Sequence, residues 1–439
     1  MLWPLTTARD AAGRLTIGGI ALADLADEFG TPLYVYHEET IRNQCALYRE
    51  AFQTAYPGAR VAYAGKAYLS SELLAIIADE GLGLDVVSAG ELMMAYRSGF
   101  PLDRVVLHGN NKTPEELRLA LELGVGEIIV DNFYELDLLE ALTSELHRTV
   151  DVLLRVNPNI DVHTHDYRKT AIVDSKFGLL IEPGFARQAV ERILEIPGLR
   201  LRGYHAHIGS QIFEIEPFLT SIDTLYAFAA DMYERYDVKP VQISPGGGFG
   251  IQYQKSDPEV EIGTFAARVS DAMRRGAERY DLAPPQLTIE PGRTIVGQAG
   301  VALYRVGAIK DIPGVRRYVS VDGGMADNIR PALYDAKYEA EIANRDSDER
   351  ATVTIAGKFC ESGDVLVRDV ALVPPEPGDI VAIPAAGAYC LAMASNYNLA
   401  LKPAVVMISG DSARLIQRRE TYDDLLAREV GTIARSTNE

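Results

Sequence analysis

Val105-Val106-Leu107-His108-Gly109-Asn110-Asn111-Lys112-Thr113-Pro114-Glu115-Glu116-Leu117 carries a strand, a turn and a helix start in immediate succession. The apolar, β-branched run at its head has strand composition, and the glycine and asparagines that follow are turn residues. Thr113 is placed to cap a helix, Pro114 suits the first turn, and Glu115 and Glu116 oppose the helix dipole. Helical periodicity then continues over 114–123. The same unit recurs on both sides. Strand-like runs at 60–64, 84–87, 105–108, 127–130, 152–156, 201–206, 241–244 and 287–290 alternate with helical stretches such as 71–79, 133–146 and 185–196. Eight strands alternating with helices over roughly 260 residues match a (β/α)₈ TIM-like barrel of the α/β class. An open doubly wound sheet is the competitor, and length and strand count favour the barrel.

The texture changes after Gly300. Apolar runs at 301–309, 318–321, 352–356, 380–383 and 405–408 alternate with turns and few helices, which predicts a C-terminal β-rich domain, a barrel or sandwich. The first thirty or so residues do not fit the barrel repeat and are assigned to this second domain. The expected division is 33–295 for the barrel, and 1–32 with 296–439 for the β-rich part.

Composition narrows the function classes. The chain has 439 residues, 47% hydrophobic and 24% charged, enough apolar material for more than one core. A net charge of −19 argues against a nucleic-acid partner and against docking on anionic lipid, but leaves a locally basic small-molecule site open. Three cysteines, Cys45, Cys360 and Cys390, make neither a disulfide framework nor a zinc pair, and reduced thiols imply a cytoplasmic protein. Residues 1–10 lack the pattern of a secretory leader, and no apolar run is long enough to span a bilayer, so no membrane partner is expected.

In a barrel, function gathers where the strands end. Lys66 follows the first strand, His207 the sixth and Gly246-Gly247-Gly248 the seventh, while Glu290-Pro291-Gly292-Arg293 closes the eighth. Consecutive glycines let backbone N–H groups approach an anion. A lysine at the mouth is a candidate Schiff-base former, and a carboxylate at a strand end can hold a pyridinium proton. Taken singly, the glycine run reads as a tight turn and Lys66 as a solvated charge; their shared location suggests a phosphorylated cofactor. His163 and His165 alternate like a metal pair, but no third ligand stands nearby, so no metal is expected and they read as structural or substrate-loop residues. Cys360 alone reads as a small buried hydrophobe, and Cys45 as core.

Tyr63-Ala64-Gly65-Lys66-Ala67, Gly83-Leu84-Asp85-Val86-Val87-Ser88-Ala89-Gly90-Glu91-Leu92, Asn110-Asn111-Lys112-Thr113, His163-Thr164-His165, Ser175-Lys176-Phe177-Gly178 and His207-Ile208-Gly209-Ser210-Gln211 begin an ordered set of motifs. It continues with Gly246-Gly247-Gly248, Glu290-Pro291-Gly292-Arg293, Cys360-Glu361-Ser362-Gly363-Asp364, Gly387-Ala388-Tyr389, Met393-Ala394-Ser395-Asn396-Tyr397-Asn398 and Arg419-Glu420-Thr421-Tyr422. Through these motifs the chain resembles, almost end to end, the fold-type III pyridoxal-phosphate decarboxylases, and within them the diaminopimelate decarboxylases.

The resemblance implies pyridoxal 5′-phosphate bound covalently by Lys66, His207 stacked on its ring and Glu290 paired with its pyridine nitrogen. It assigns the phosphate to Ser210, Gly248, the backbone of Gly292-Arg293 and Tyr389, and counts Gly247 among the cofactor contacts. Arg293, Arg330, Tyr334 and Tyr389 would bind the substrate, with the arginines and Tyr334 on its distal carboxylate. Glu361 would take the distal ammonium and Cys360 would donate the proton, both reaching the site from the second subunit of a homodimer. The implied reaction is decarboxylation of meso-2,6-diaminopimelate to L-lysine and carbon dioxide, the last step of lysine biosynthesis. The alternative is a relative acting on ornithine, arginine or carboxynorspermidine; ornithine decarboxylases typically carry aspartate after the cysteine, where Glu361 stands here. Gly65, Cys390-Leu391-Ala392 and the arginine-free stretch 399–403 depart from the commonest family pattern.

Overall fold

A computed structural model describes residues 1–160 and 174–431. The predicted barrel runs are strands β1 (Arg60–Ala64), β2 (Gly83–Val86), β3 (Val105–Leu107), β4 (Glu127–Val130), β5 (Val150–Asn157), β6 (Leu199–His205), β7 (Gln242–Gly246) and β8 (Gln286–Ile289). Each pairs in parallel with the next, and β8 pairs with β1. An open sheet would leave two edges, so this closure excludes the doubly wound competitor. Val106, Ile129 and Leu153, from β3, β4 and β5, pack together inside.

Helix α1 (Glu38–Ala55) leads into β1. One helix then follows each strand as far as β7: α2 (Ser71–Asp79), α3 (Ala89–Arg97), α4 (Pro114–Leu123), α5 (Phe133–Leu146), α6 (Phe185–Glu195), α7 (Glu216–Tyr236) and α8 (Ile262–Arg279). The first four strand-to-helix turns end alike. Ser70, Ser88, Thr113 and Asn132 each accept the backbone N–H three residues on, a cap that contributes about 1 kcal/mol apiece. Thr113 and Glu116 complete a reciprocal capping box.

The Lys112 side chain turns inward beneath that box. Its ammonium donates to the carbonyls of Gly109 (2.7 Å) and Ile129 (2.6 Å) and to Glu135 Oε1 (2.8 Å). Glu135 Oε2 accepts the Asp131 N–H at 3.0 Å. Both side chains are buried. The pair ties the turn after β3 to β4 and to the start of α5.

The chain forms two compact units. One is Met1–Leu2 with Glu38–Ala299; the other is Trp3–His37 with the chain from Gly300 onward. Leu33–His37, inside the 33–295 range expected for the barrel, is a strand of the second unit. It lies between Gly300–Ile312, antiparallel, and Ala404–Ser409, parallel. The same sheet continues through Arg316–Val321, Ala351–Ala356 and Val365–Leu372 on one side and Ser412–Gln417 on the other. A small sheet of Ala8–Arg9, Leu15–Ile17 and Ile20–Ala21 belongs to this unit, whose core joins Leu15, Ile17 and Leu22 to Leu33, Val35, Val301 and Val406. Among the described residues, no helix is long and apolar enough to cross a membrane.

Candidate active site

The C-terminal ends of the barrel strands carry the predicted groups. Lys66 sits in the single helical turn Gly65–Ala67 after β1, with its side chain exposed. Gly65 beside it has a steric reason: a Cβ there would stand 2.8 Å from the Asp85 carbonyl oxygen.

Glu290, one residue past β8, is only 7% exposed. Its Oε1 accepts the Ser244 hydroxyl at 2.7 Å, and its Oε2 meets His205 Nε2 at 3.0 Å. Burial pushes this carboxyl up, but His205, His108 and the two hydrogen bonds outweigh burial and hold it ionised, below the usual glutamate range. Asp85 on β2 goes the other way: burial, reinforced by the charge of Glu290, drives it well above the usual range. Burial, with Lys66 adding to it, drives His207 well below its ordinary value; for His108, burial is the leading cause of the same shift. Glu290, whose surroundings favour its charged form, therefore lies near His108, His207 and Asp85, whose burial favours their neutral forms, at the barrel end that also carries the exposed amine of Lys66.

The turns after β6, β7 and β8 meet backbone to backbone. A Cβ on Gly247 would lie 1.9 Å from the Glu290 carbonyl oxygen, and one on Gly248, where φ is +101°, 2.1 Å from that of Gly209. A Cβ on Gly292 would stand 3.0 Å from Ala64. The Gly247 N–H donates to His207 Nδ1 at 3.3 Å, which fixes the imidazole against the glycine turn. Arg293, 7% exposed, donates from Nη2 to Ser210 Oγ at 2.9 Å and from Nη1 to the Tyr253 hydroxyl. Arg155 at the end of β5 lies 4.5 Å above the Phe177 ring and 3.6 Å from Asp131, whose other oxygen accepts the Gly178 N–H. His163 and His165 lie outside the described residues.

Lys66, His207, Ser210, Gly247, Gly248, Glu290, Gly292 and Arg293 thus share one end of the barrel. An exposed amine, a buried carboxylate acceptor, a fixed imidazole and glycine turns that any side chain would fill fit a ring bearing an aldehyde and a phosphate.

The other expected residues belong to the β-rich unit. Arg330 is 2% exposed, bonded to the Tyr338 hydroxyl, which in turn lies 3.5 Å from Cys390 Sγ. Tyr334 ends the same short helix, Arg330–Tyr334, and is half-buried, as is Tyr389. Cys360 is exposed, which corrects its reading as a small buried hydrophobe; Cys45 is buried as expected. Cys360 and exposed Glu361 ride the turn between Ala351–Ala356 and Val365–Leu372. Asp364 anchors that turn by accepting the N–H groups of Phe359 (2.9 Å) and Met325 (2.7 Å). A side chain at 65 would force a neighbour to shift, and Cys390 fills a buried place.

Sequence reading missed His205, Ser244, Asp85, His108 and Tyr253. His205 had a signal: it stands two residues before His207, and alternate residues of a strand share a face.

Residues 38–297 match the family profile described as "Pyridoxal-dependent decarboxylase, pyridoxal binding domain". The chain is 46% identical over 426 residues to the diaminopimelate decarboxylase of Bacillus subtilis, covering 97% of each. Identity to that of Mycobacterium tuberculosis is 44% over 440 residues, covering 98% of each. The crystal structure of diaminopimelate decarboxylase from M. jannaschii in complex with L-lysine is similar at a TM-score of 0.90 and 37% identity, over 98% of this chain and 99% of that one.

Proposed function

The chain belongs to the pyridoxal-dependent decarboxylases, and on that premise we propose that it converts meso-2,6-diaminopimelate to L-lysine and carbon dioxide. The observation that carries this reading is identity to named diaminopimelate decarboxylases along 97–98% of the chain rather than over the barrel alone. The barrel mouth supports it, with the exposed amine of Lys66 and the ionised carboxylate of Glu290 at the same strand ends.

Bound pyridoxal 5′-phosphate supplies a ring that takes up the electron pair left when carbon dioxide departs. Lys66 would hold this cofactor through its ε-amine, His207 would lie against its ring and Glu290 would pair with its pyridine nitrogen. Ser210, Gly248, the backbone of Gly292-Arg293 and Tyr389 would hold its phosphate, with Gly247 also contacting the cofactor. Arg293, Arg330 and Tyr334 take the distal carboxylate of the substrate, with Tyr389 beside them, and Glu361 takes its distal ammonium. An arginine can bind that carboxylate through two parallel hydrogen bonds. Losing one such desolvated charge contact costs about 2–5 kcal/mol, enough to reject lysine or ornithine, which lack the group. Cys360 gives the proton to the carbon that lost its carboxylate. We further propose a cytoplasmic homodimer in which Cys360 and Glu361 serve the partner's barrel.

Purified protein with pyridoxal phosphate should release carbon dioxide from meso-diaminopimelate. Turnover of ornithine or arginine in its place would defeat the assignment. Lys66→Ala should abolish both activity and the absorbance of covalently held cofactor. Mixing Lys66→Ala with Cys360→Ala protein should restore part of the activity through hybrid dimers, and exchange of subunits without rescue would refute the shared site.

A further inference from the structure

Two donors grip Glu290 from within the barrel, and the roles assigned above use neither. Resting on the decarboxylase reading, we propose that His205 and Ser244 are positioning residues. They keep both oxygens of Glu290 as acceptors, and so set how strongly the bound cofactor ring withdraws electrons.

The directions of the hydrogen bonds make the case. The Gly246 N–H donates to Ser244 Oγ at 3.1 Å, so the hydroxyl's own proton is left for Glu290 Oε1 at 2.7 Å. On the other side, His205 Nε2 faces a carboxylate oxygen at 3.0 Å and must donate. His205 Nδ1 is buried with no hydrogen-bond partner among the described residues, so the ring's proton belongs on Nε2. The ring cannot easily turn away: it is 1% exposed and packs edge-to-face on His108, with centroids 5.1 Å apart. The other titratable groups around Glu290 are Lys66 after β1, Asp85 on β2, His108 after β3, Arg155 on β5 and His207 after β6. Burial disfavours the charged forms of Asp85, His108 and His207, and of the groups that hold Glu290 below the usual glutamate range, His205 and Ser244 are the two that also hydrogen-bond to it. Without them a buried glutamate protonates more readily. A protonated Glu290 offers a hydroxyl where an acceptor is required, and the ring nitrogen then loses its proton and its pull on electrons.

His108, His205 and Glu290 also bring their ligating atoms within 4.8 Å of one another, a set able to hold a transition metal. Here His205 Nε2 and Glu290 Oε2 are engaged with each other.

The test compares His205→Leu, His205→Gln and Ser244→Ala as holoproteins. The readouts are kcat and KM for diaminopimelate and the pH titration of the bound-cofactor absorbance. His205→Leu should retain bound cofactor, lose about 10- to 100-fold in kcat with little change in KM, and shift the pH midpoint of the absorbance. His205→Gln, whose amide can still donate, should recover most of both. Ser244→Ala should move the same readouts and serves if His205→Leu does not fold. An unmoved absorbance titration in all three variants, equal losses in His205→Leu and His205→Gln, or stoichiometric metal in purified apoprotein would each overturn the proposal. The titration needs only cofactor, so it remains decisive even if diaminopimelate proves not to be the substrate.

Discussion

Lys112→Met would remove one partner of a fully buried ion pair. All three ammonium protons of Lys112 are used, on Gly109, Ile129 and Glu135. The variant therefore takes a donor from two carbonyls and leaves a carboxylate that is 1% exposed without its cation. Removing one member of a buried pair typically destabilises by about 3–5 kcal/mol. For a unit of this size that corresponds to a fall of roughly 6–20 °C in the barrel's melting temperature. The deficit should depend on pH. Burial already raises the Glu135 carboxyl, and Lys112 is the main group pulling it back down. Without Lys112 its folded pKa rises further above the unfolded value. Stability relative to wild type is then best below the ordinary glutamate range and is lost as pH climbs through the raised value. Thermal and urea unfolding of wild type, Lys112→Met, Glu135→Leu and Lys112→Met/Glu135→Leu at pH 5 and pH 8 would measure this. The double variant, freed of the stranded charge, should be no less stable than the single one. A loss under about 1 kcal/mol in Lys112→Met, or a double-variant loss equal to the sum of the two single losses, would refute the reasoning.

Gly247→Ala would set a methyl 1.9 Å from the Glu290 carbonyl oxygen, whereas Gly307→Ala meets nothing closer than 3.7 Å. The first should lower both cofactor content per chain and melting temperature while the second leaves both near wild type; full cofactor content in Gly247→Ala would contradict the packing argument. In the β-rich unit, burial raises Asp327 to about 6. Its folded pKa exceeds the unfolded one, so it contributes stability in acid that is lost as pH rises through 6. Wild type should accordingly lose roughly 1–3 kcal/mol relative to Asp327→Asn between pH 4 and pH 8, and a pH-independent difference would count against it.

The barrel was legible because its strands are short apolar runs and its helices announce themselves. Thr113-Pro114-Glu115-Glu116 predicts a capped helix start, and the capping box is there. Edges were harder to read. The run at 241–244 shifts to Gln242–Gly246, taking in Pro245 and Gly246, both ordinarily strand breakers. The pairing of β7 with β8 is irregular at that point, which is where a sheet tolerates proline. Val365–Leu372 escaped notice because Arg368-Asp369 interrupts its apolar run; Asp369 has φ of +50° and the strand bulges. Ser412–Gln417 mixes exposed and half-buried residues and lacks a buried face to betray it. Leu33–His37 looks locally like any buried barrel strand, and only its partners, hundreds of residues away, place it in the other sheet. In the site, Lys66, Glu290 and the glycines stood out as residue types odd for a strand end. His205 and Ser244 did not, because their importance lies in whom they touch.

That early strand sets the timetable of synthesis. Leu33–His37 leaves the ribosome first, yet both of its neighbours belong to the last third of the polypeptide. At about 5–20 residues per second, the interval from His37 to Gly300 is on the order of 13–50 s. Throughout it a ribbon that ends fully buried, Leu-Tyr-Val-Tyr-His, must wait with both hydrogen-bonding edges open. The nascent chain can finish its α/β unit in that time, but the second sheet has no middle until its end is translated. Chaperones that shield exposed edges should therefore hold this protein longest by its N-terminal region.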